Sequence, residues 1–579
     1  MEYYKPFEKD TANKPFGELT KQEDEYFVNG KLVINNRGIH GDIVYLDELN
    51  EEYNDTGVTK VINITKVINI TKVINIINIA KVINIKERFQ GFIVGILHLN
   101  NNQKYGFTKK NVPYIKFTSL SGKYPNYIVP SKSKEKRAMY CVIKFNKWET
   151  NNTKPIGQIE YMLGPVGDMD CETEALLFKT DIYPKKSKFK YLELDSLDES
   201  CIDYKTFSID PIGCKDIDDA IHYKELDMGK KEIGIHIANV ARYIDSWDTN
   251  FYSSIYLKNK QLNMLDDSHS FGKCSLGHGE KKRALSLILK FNGYILEGYE
   301  FKETIIRNNA LSYQDVEKMI SNCSGGAVYK LWEFTSIMKS SPELSATKMV
   351  EYYMLLYNNF VAKTLYKYDR QTILRTHKVI NNSTLNLSNN CDTKFETYLN
   401  RIQQHAAEYQ IDPKETCHQD LEMEFYTHGT SPIRRYVDII NQKNIINYLA
   451  GREIVVEGKL DNINIFQKNL RKFYNHYKKL DIIFGMDLVT EYEAFIVGVD
   501  GIKINIYIPD LDIEHSFIAI SRKLLECNLV EMGEDFIEIN GVRLSKMDKI
   551  SIKITPLPFE EKFNKKLHIK ILTPEIQLV

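Results

Sequence analysis

The stretch Phe207-Ser208-Ile209-Asp210-Pro211-Ile212-Gly213-Cys214-Lys215-Asp216-Ile217-Asp218-Asp219-Ala220 constrains this chain more than any other, because it sets four aspartates among apolar residues within ten positions. Carboxylates that close repel one another, and each resists ionising unless a cation or a donor offsets its charge. In a regular strand Asp210, Asp216 and Asp218 share one face and Asp219 the other, so gathering all four requires a bend. Pro211 and Gly213 are suited to making it. Hard oxygen donors of this kind favour Mg²⁺ or Mn²⁺ over zinc. Two such ions roughly 4 Å apart suit the hydrolysis of a phosphodiester. The spacing lacks the pattern of an EF-hand calcium loop. A solvated acidic loop is the competing reading.

A complementary feature lies at Thr430-Ser431-Pro432-Ile433-Arg434-Arg435-Tyr436-Val437-Asp438. An N-cap candidate, a proline at the first helical position and apolar spacing near 3.6 predict a helix from Pro432 to Leu449, with both arginines in its first turn. Free N–H groups and the helix dipole favour a phosphate there, and arginine can grip it in bidentate fashion. Asp438, one turn beyond Arg434, is placed to hold its guanidinium. An arginine pair in ordinary surface salt bridges is the alternative.

At 579 residues the chain exceeds what one hydrophobic core supports, so two to four domains are expected. No apolar run is long enough to cross a bilayer, and Met1-Glu2-Tyr3-Tyr4-Lys5 is unlike a secretory signal. An intracellular, cytoplasmic location without membrane attachment is expected. Nine scattered cysteines without a Cys-x-x-Cys pair read as reduced thiols, with neither a disulfide framework nor a zinc site. Lys+Arg and Asp+Glu both total 77, so a polyanionic partner would have to be met by a local basic channel.

Along the chain, Gly30–Asn35 and Gly41–Leu46 read as short strands, followed by Gly91–Leu97 and Met139–Phe145. Helical spacing marks Met349 to Tyr366, and strands return at Glu493–Val499 and Lys503–Pro509. Between the first strands, Val58 to Lys86 repeats Lys-Val-Ile-Asn-Ile-Thr almost perfectly, with a six-residue period too short for solenoid units. Neither face of this alternation is cleanly apolar. It reads as a low-complexity surface insertion able to pair as strands, a partner-binding β-ribbon being the alternative.

The two charged motifs together resemble the signature elements of the RNase II/RNB exoribonucleases. The resemblance extends to Gly234-Ile235-His236-Ile237-Ala238-Asn239-Val240, similar to the family's Gly-Val-His-Ile-Ala-Asp-Val strand, and to Arg283-Ala284-Leu285-Ser286, Leu311-Ser312-Tyr313 and Val350-Glu351-Tyr352-Tyr353. Asn36-Arg37-Gly38-Ile39-His40-Gly41-Asp42 resembles the first cold-shock domain of that family. Trp148, Leu163-Gly164 and Glu172 resemble the end of the second. The wording Ser208-Ile209-Asp210-Pro211 and Gly213-Cys214-Lys215-Asp216 is similar to the eukaryotic, exosome-type branch, although no PIN domain is recognised. Asn239 stands where the family usually has aspartate, Tyr352 replaces the second glutamate of a Glu-Glu pair, and Gln442-Lys443 replaces a His-Arg pair.

The resemblance implies a multidomain α+β chain: a first cold-shock-like OB domain over 1–87 with the repeat insertion at 58–86, and a second over 88–190. A mixed α/β RNB catalytic domain over 191–485 and a C-terminal OB β-barrel over 486–579 complete it. It implies hydrolysis of single-stranded RNA from the 3′ end, releasing nucleoside 5′-monophosphates by two-metal-ion catalysis with Mg²⁺ or Mn²⁺. Asp210, Asp216, Asp218 and Asp219 would hold metal, Asp218 serving the catalytic second ion or its water, and Arg434 would stabilise charge on the scissile phosphate. Tyr256, Tyr313, Glu351, Arg434 and Arg435 would contact RNA. A monomer is expected, with exosome association allowed but not indicated. The alternative is an RNB-fold protein that binds RNA without cutting it, and a metal-dependent nuclease acting on DNA is a third reading.

Overall fold

The computed structural model describes residues 16–575, except 23–24, 29–30, 35–38, 41, 49–79, 150–151, 185–187, 196–202, 378–391, 404–405, 414–415, 456, 487–489 and 519–529. The chain divides into two compact units, residues 184–468 and residues 1–183 with 469–579. Among the described residues no helix is long and apolar enough to cross a membrane.

The unit 184–468 is built on a closed five-stranded barrel of Tyr204–Asp210, Asp219–Glu225, Lys230–Ala238, Lys281–Asn292 and Ile295–Ser312. Neighbours pair antiparallel except at the seam, where the first and last strands run parallel and Asp210 lies opposite Ser312. The strands alternate, apart from a bulge at Lys290 and Phe291. Ile221, Ile235, Leu285 and Leu287 join a core with Met349, Tyr353, Tyr357 and Val361 of the helix Ala346–Tyr368, which we call the wall helix. Its apolar residues recur at helical spacing, and Ser345 caps its start by accepting from Lys348 N at 3.3 Å. This is the helix expected from Met349 to Tyr366, extended at both ends.

Residues alternating with that apolar layer form a buried polar ladder across four strands. His222 Nδ1 meets His236 Nε2 at 2.8 Å, His236 Nδ1 meets Ser286 Oγ at 2.7 Å, and Ser286 Oγ meets Thr304 Oγ1 at 2.6 Å. Burial, and then the nearby Lys224 and Lys302, pushes His222 down to about 4. Gly234 makes the ladder fit. A Cβ there would lie 2.3 Å from His222 Cε1 and 2.8 Å from His236 Nε2, closer than real Cβ atoms approach.

In the other unit, strands Phe16–Gln22, Glu25–Val28, Lys31–Ile34, Ile43–Glu48 and Ala80–Glu87 close a first barrel. Strands Ile93–His98, Tyr114–Ser119, Tyr127–Pro130, Ala138–Lys147 and Ile156–Pro165 close a second. The repeat expected as a surface insertion able to pair as strands does pair at its end: Ala80–Glu87 runs antiparallel to Ile43–Glu48 and parallel to Lys31–Ile34. A six-residue period is even, so a copy of the repeat keeps the two-residue alternation of a strand, and its Val and Ile residues favour one. The earlier copies lie outside the described residues. Buried Asp42 ties the first barrel to the second, accepting from Ile39 N, Phe89 N and Arg88 Nη1 at 2.7–2.9 Å.

The C-terminal segment forms a five-stranded antiparallel sheet of Thr490–Asp500, Lys503–Ile508, Ile513–Ile518, Lys549–Pro556 and Leu567–Thr573, with a three-stranded sheet from Val530 to Ser545. The fully buried Lys566 pairs with Glu172 at 2.8 Å, and Glu172 also accepts from Tyr140 OH at 2.8 Å and Gly167 N at 3.0 Å.

The histidine ladder yields a stability prediction. Gly234→Ala should cost about 1–3 kcal/mol by overpacking, whereas Gly298→Ala, with open space around its Cβ, should stay within about 0.5 kcal/mol of the unsubstituted protein. Urea unfolding of both variants checks this, and equal costs would count against a steric demand at Gly234.

Candidate active site

Asp210 ends the first barrel strand and Asp219 begins the second. Between them Cys214 N donates to Pro211 O at 3.1 Å and Gly213 takes φ +84°, a left-handed value that glycine tolerates. The bend expected from Pro211 and Gly213 is therefore present. It brings all four aspartates to one cavity of about 610 Å³, and Tyr256, Tyr313, Glu351, Arg434 and Arg435 line the same cavity.

Local folding explains each placement. The seam pairing of Asp210 with Ser312 sets Tyr313, the first residue of the helix Tyr313–Ser321, beside the carboxylates, and a reciprocal cap between Ser312 and Asp315 fixes that helix start. Glu351 comes from the wall helix, where Lys348 Nζ donates to it at 2.6 Å. Tyr256 sits on a two-stranded ribbon opposite Gln261. Both residues donate to Asp216 Oδ2, Gln261 Nε2 at 3.0 Å and the Tyr256 hydroxyl at closer range.

Asp218 is almost wholly buried and is held from three directions. Its Oδ1 accepts from Ile433 N at 2.9 Å, its Oδ2 from Arg434 Nε at 3.2 Å, and its carbonyl from Ala238 N at 2.8 Å.

The arginine segment departs from expectation. The helix begins at Tyr436, with Arg435 as an extended N-cap residue, so both arginines precede it. Ser253 bridges Arg435 as in a sheet, and Tyr436 N donates to Tyr252 O at 3.1 Å, which holds Arg435 extended and interrupts the helix there. Asp438 does not take Arg434. It accepts from Ser431 N at 2.7 Å and from Arg435 Nη2 at 2.9 Å, leaving Arg434 to Asp218.

The carboxylates pay for their crowding. Burial, and then Asp210 and Asp218, pushes Asp219 up to about 8. Burial pushes Asp218 up to about 7 against the opposing pull of Arg434, and Asp210 up to about 6 despite a hydrogen bond from Ser208. Burial and the nearby Asp219 push Tyr313 up to about 12. Arg434 stays firmly charged, because Asp218 and its neighbours outweigh the effect of its burial.

Three observations bear on a bound cation. The donors are hard oxygens. Asp210 Oδ2 is buried without a hydrogen-bond partner. Three of the four carboxyls are held above their usual range, as groups short of positive charge are. The residues thus fit a hard divalent cation. As placed, however, no three His, Cys, Asp or Glu side chains among the described residues converge closely enough to hold an ion. Asp216 and Asp218 instead give oxygens to protein donors.

Sequence reasoning missed Gln261, the Ile433 amide and Asn358. Gln261 could have been found only by recognising the short ribbon that pairs it with Tyr256. Asn358 accepts from Gly429 N at 2.8 Å and donates to Tyr426 OH at 3.2 Å, fastening the approach to the arginine segment onto the wall helix.

The RNB domain family model matches residues 199–330 and 333–451, which contain every one of these cavity residues. Residues 199–330 and 333–451 are thus an RNB domain. The RNB domain is joined by a match to Dis3-like cold-shock domain 2 over residues 114–181. The exosome complex exonuclease RRP44 of Mus musculus is 25% identical over 75% of this chain and 56% of its own length, and that of Homo sapiens is 24% identical with the same coverage. The chain thus spans little more than half the length of these curated relatives. Among solved structures, Mycoplasma genitalium RNase R in complex with ribose-methylated single-stranded RNA is similar with a TM-score of 0.69, at 15% identity, over 96% of this chain and all of the other. Yeast Ssd1, described as a pseudonuclease, is similar with a TM-score of 0.60, at 15% identity, over 97% of both. At such identities the likeness concerns the fold.

The raised carboxyls set the sign of a pH effect. Acids whose folded pKa lies above the unfolded value near 4 stabilise the fold most at low pH and lose that contribution as pH rises through about 6 to 8. In EDTA the melting temperature should therefore fall between pH 5.5 and 8.5, Asp219→Asn should flatten the fall, and Mg²⁺ should raise the melting temperature more at pH 8.5 than at pH 5.5. Differential scanning fluorimetry reads all three. A metal-free profile unchanged by Asp219→Asn would remove the basis for this assignment.

Proposed function

We propose that this chain is a metal-dependent exoribonuclease that degrades single-stranded RNA from its 3′ end and releases nucleoside 5′-monophosphates. The observation that carries the reading is the single cavity lined by Asp210, Asp216, Asp218, Asp219 and Arg434 together with Tyr256, Tyr313 and Glu351. The four aspartates would hold Mg²⁺, with Mn²⁺ as a substitute; bound ions of this kind activate a water and stabilise a leaving 3′ oxygen in two-metal hydrolysis.

The remaining roles belong to the chain. Arg434, freed from Asp218, would place its guanidinium on the scissile phosphate, where charge grows in the transition state. Arg435 would add to the grip on the backbone, and Glu351 would accept from hydroxyls of the terminal nucleotide, where the 2′-hydroxyl separates RNA from DNA. Tyr256 and Tyr313 would stack on bases, a contact worth about 1–3 kcal/mol per base that accepts any sequence. The cold-shock-like barrels and the C-terminal OB domain would bind further single strand.

One observation favours a second reading, an RNB-fold protein that binds RNA without cutting it. Oxygens of Asp216 and Asp218 are engaged by Tyr256, Gln261, Ile433 and Arg434.

A time course with 5′-labelled single-stranded RNA and its DNA equivalent separates the two. With Mg²⁺ the RNA alone should shorten to a small 5′ product, and EDTA or Asp218→Asn should stop it. Arg434→Ala should lower kcat by roughly 10²–10³ with little change in KM. RNA that is bound yet stays full-length under both Mg²⁺ and Mn²⁺ would replace the nuclease reading with the second.

A further inference from the structure

We infer that Gln442 is a positioning residue that sets the reach between Asp218 and Arg434; the inference rests on the reaction proposed above. Gln442 is 2% exposed and belongs to the helix Tyr436–Leu449, nearly two turns beyond the arginines. Its Nε2 donates to Ala238 O at 2.8 Å and its Oε1 accepts from Ala241 N at 3.2 Å. Ala238 ends the third barrel strand, and its own N–H donates to the carbonyl of Asp218 at 2.8 Å.

These bonds close a circuit. The backbone of Asp218 is tied through Ala238 to Gln442 and so to the body of the helix. The carboxylate of Asp218 is tied through Ile433 N and Arg434 Nε to the segment leading into that helix. If the helix slides against Ala238, the guanidinium moves relative to the carboxylate it must leave and the phosphate it must meet. Holding reacting groups within a fraction of an ångström is worth orders of magnitude in rate.

The chemistry of the brace favours an amide. Ala238 O can only accept and Ala241 N–H can only donate, so a side chain meeting both needs a donor and an acceptor on one head group. Glutamine supplies both on one amide, without charge. Asn239, within the braced stretch, is likewise neutral; its N–H donates to Arg283 O at 3.0 Å and its Nδ2 to Glu303 Oε1 at 2.8 Å.

The test compares Gln442→Glu and Gln442→Met in the full chain, measuring kcat, KM and melting temperature, with the dissociation constant for a labelled single-stranded oligonucleotide in EDTA. At pH 8 an ionised Gln442→Glu faces Ala238 O with an acceptor, and kcat should fall at least about tenfold while KM and RNA affinity stay within about twofold. A buried carboxyl protonates readily, and the protonated form again offers a donor and an acceptor. The ratio of its kcat to that of the unsubstituted protein should therefore recover towards pH 6, while Gln442→Met stays low throughout. An inactive unsubstituted protein would overturn the nuclease reading and this inference with it. An active one whose variants keep kcat within about twofold, or lose kcat, KM and RNA affinity together without recovery at pH 6, would overturn the inference alone.

Discussion

Four carboxylates lining one cavity are a debt that the rest of the unit 184–468 is arranged to carry. Taking an ion out of water costs several kcal/mol even after relaxation, and three of these four are held above their usual range mainly by burial. The local answers are specific. Asp218 receives an amide and a guanidinium, Asp216 receives a phenol and a side-chain amide, and Asp210 keeps one oxygen bare. Such a concentration of perturbed acids is tolerable only on a scaffold whose stability comes from elsewhere.

That scaffold is the closed barrel and the helix packed on it. The apolar layer of Ile221, Ile235, Leu285 and Leu287 against the wall helix supplies the burial, while closure leaves no edge strand free to slip. Register then does the positioning. Because Asp210 lies opposite Ser312 at the seam, Tyr313 follows the same strand pair into the cavity, and because Asp219 lies opposite Ile237, the Asp218 carbonyl falls to Ala238.

Much of this was legible in the sequence, and the pattern of what was not is physical. The bend at Pro211 and Gly213, the wall helix and the strands at Gly91–Leu97 and Met139–Phe145 follow from local chemistry and periodicity, and the nine candidate site residues do share one cavity. The arginine segment misled because its capping residues and proline describe a good helix start locally, whereas Ser253 and Tyr252, far away in sequence, hold Arg435 extended. Asp438 looked like a partner for Arg434 because helical spacing was assumed for a stretch that is not helical. Gln261 was invisible, and Gln442 stood out only as a departure from the family pattern, for a related reason: each acts by a hydrogen bond to a residue dozens or hundreds of positions away, and an isolated glutamine has no periodicity to betray it. The repeat at 58–86 was read as an insertion able to pair as strands, and its last copy does pair within the first barrel.

The fold alone cannot separate a nuclease from a protein that has lost cutting, because the same architecture occurs in RNase R and in a pseudonuclease. The separation has to come from the groups in the cavity. Two of the donors to these carboxylates are groups that RNA would also engage: the guanidinium of Arg434 and the ring-bearing ribbon of Tyr256. In the proposed reaction these contacts are not a blockade but one side of an exchange. A phosphate arriving at Arg434 would offer that cation a new anion at the moment Asp218 is needed elsewhere. The amide of Ile433 has no such competitor, so it keeps Asp218 in place while Arg434 turns, and the exchange costs little reorganisation of the carboxylate itself.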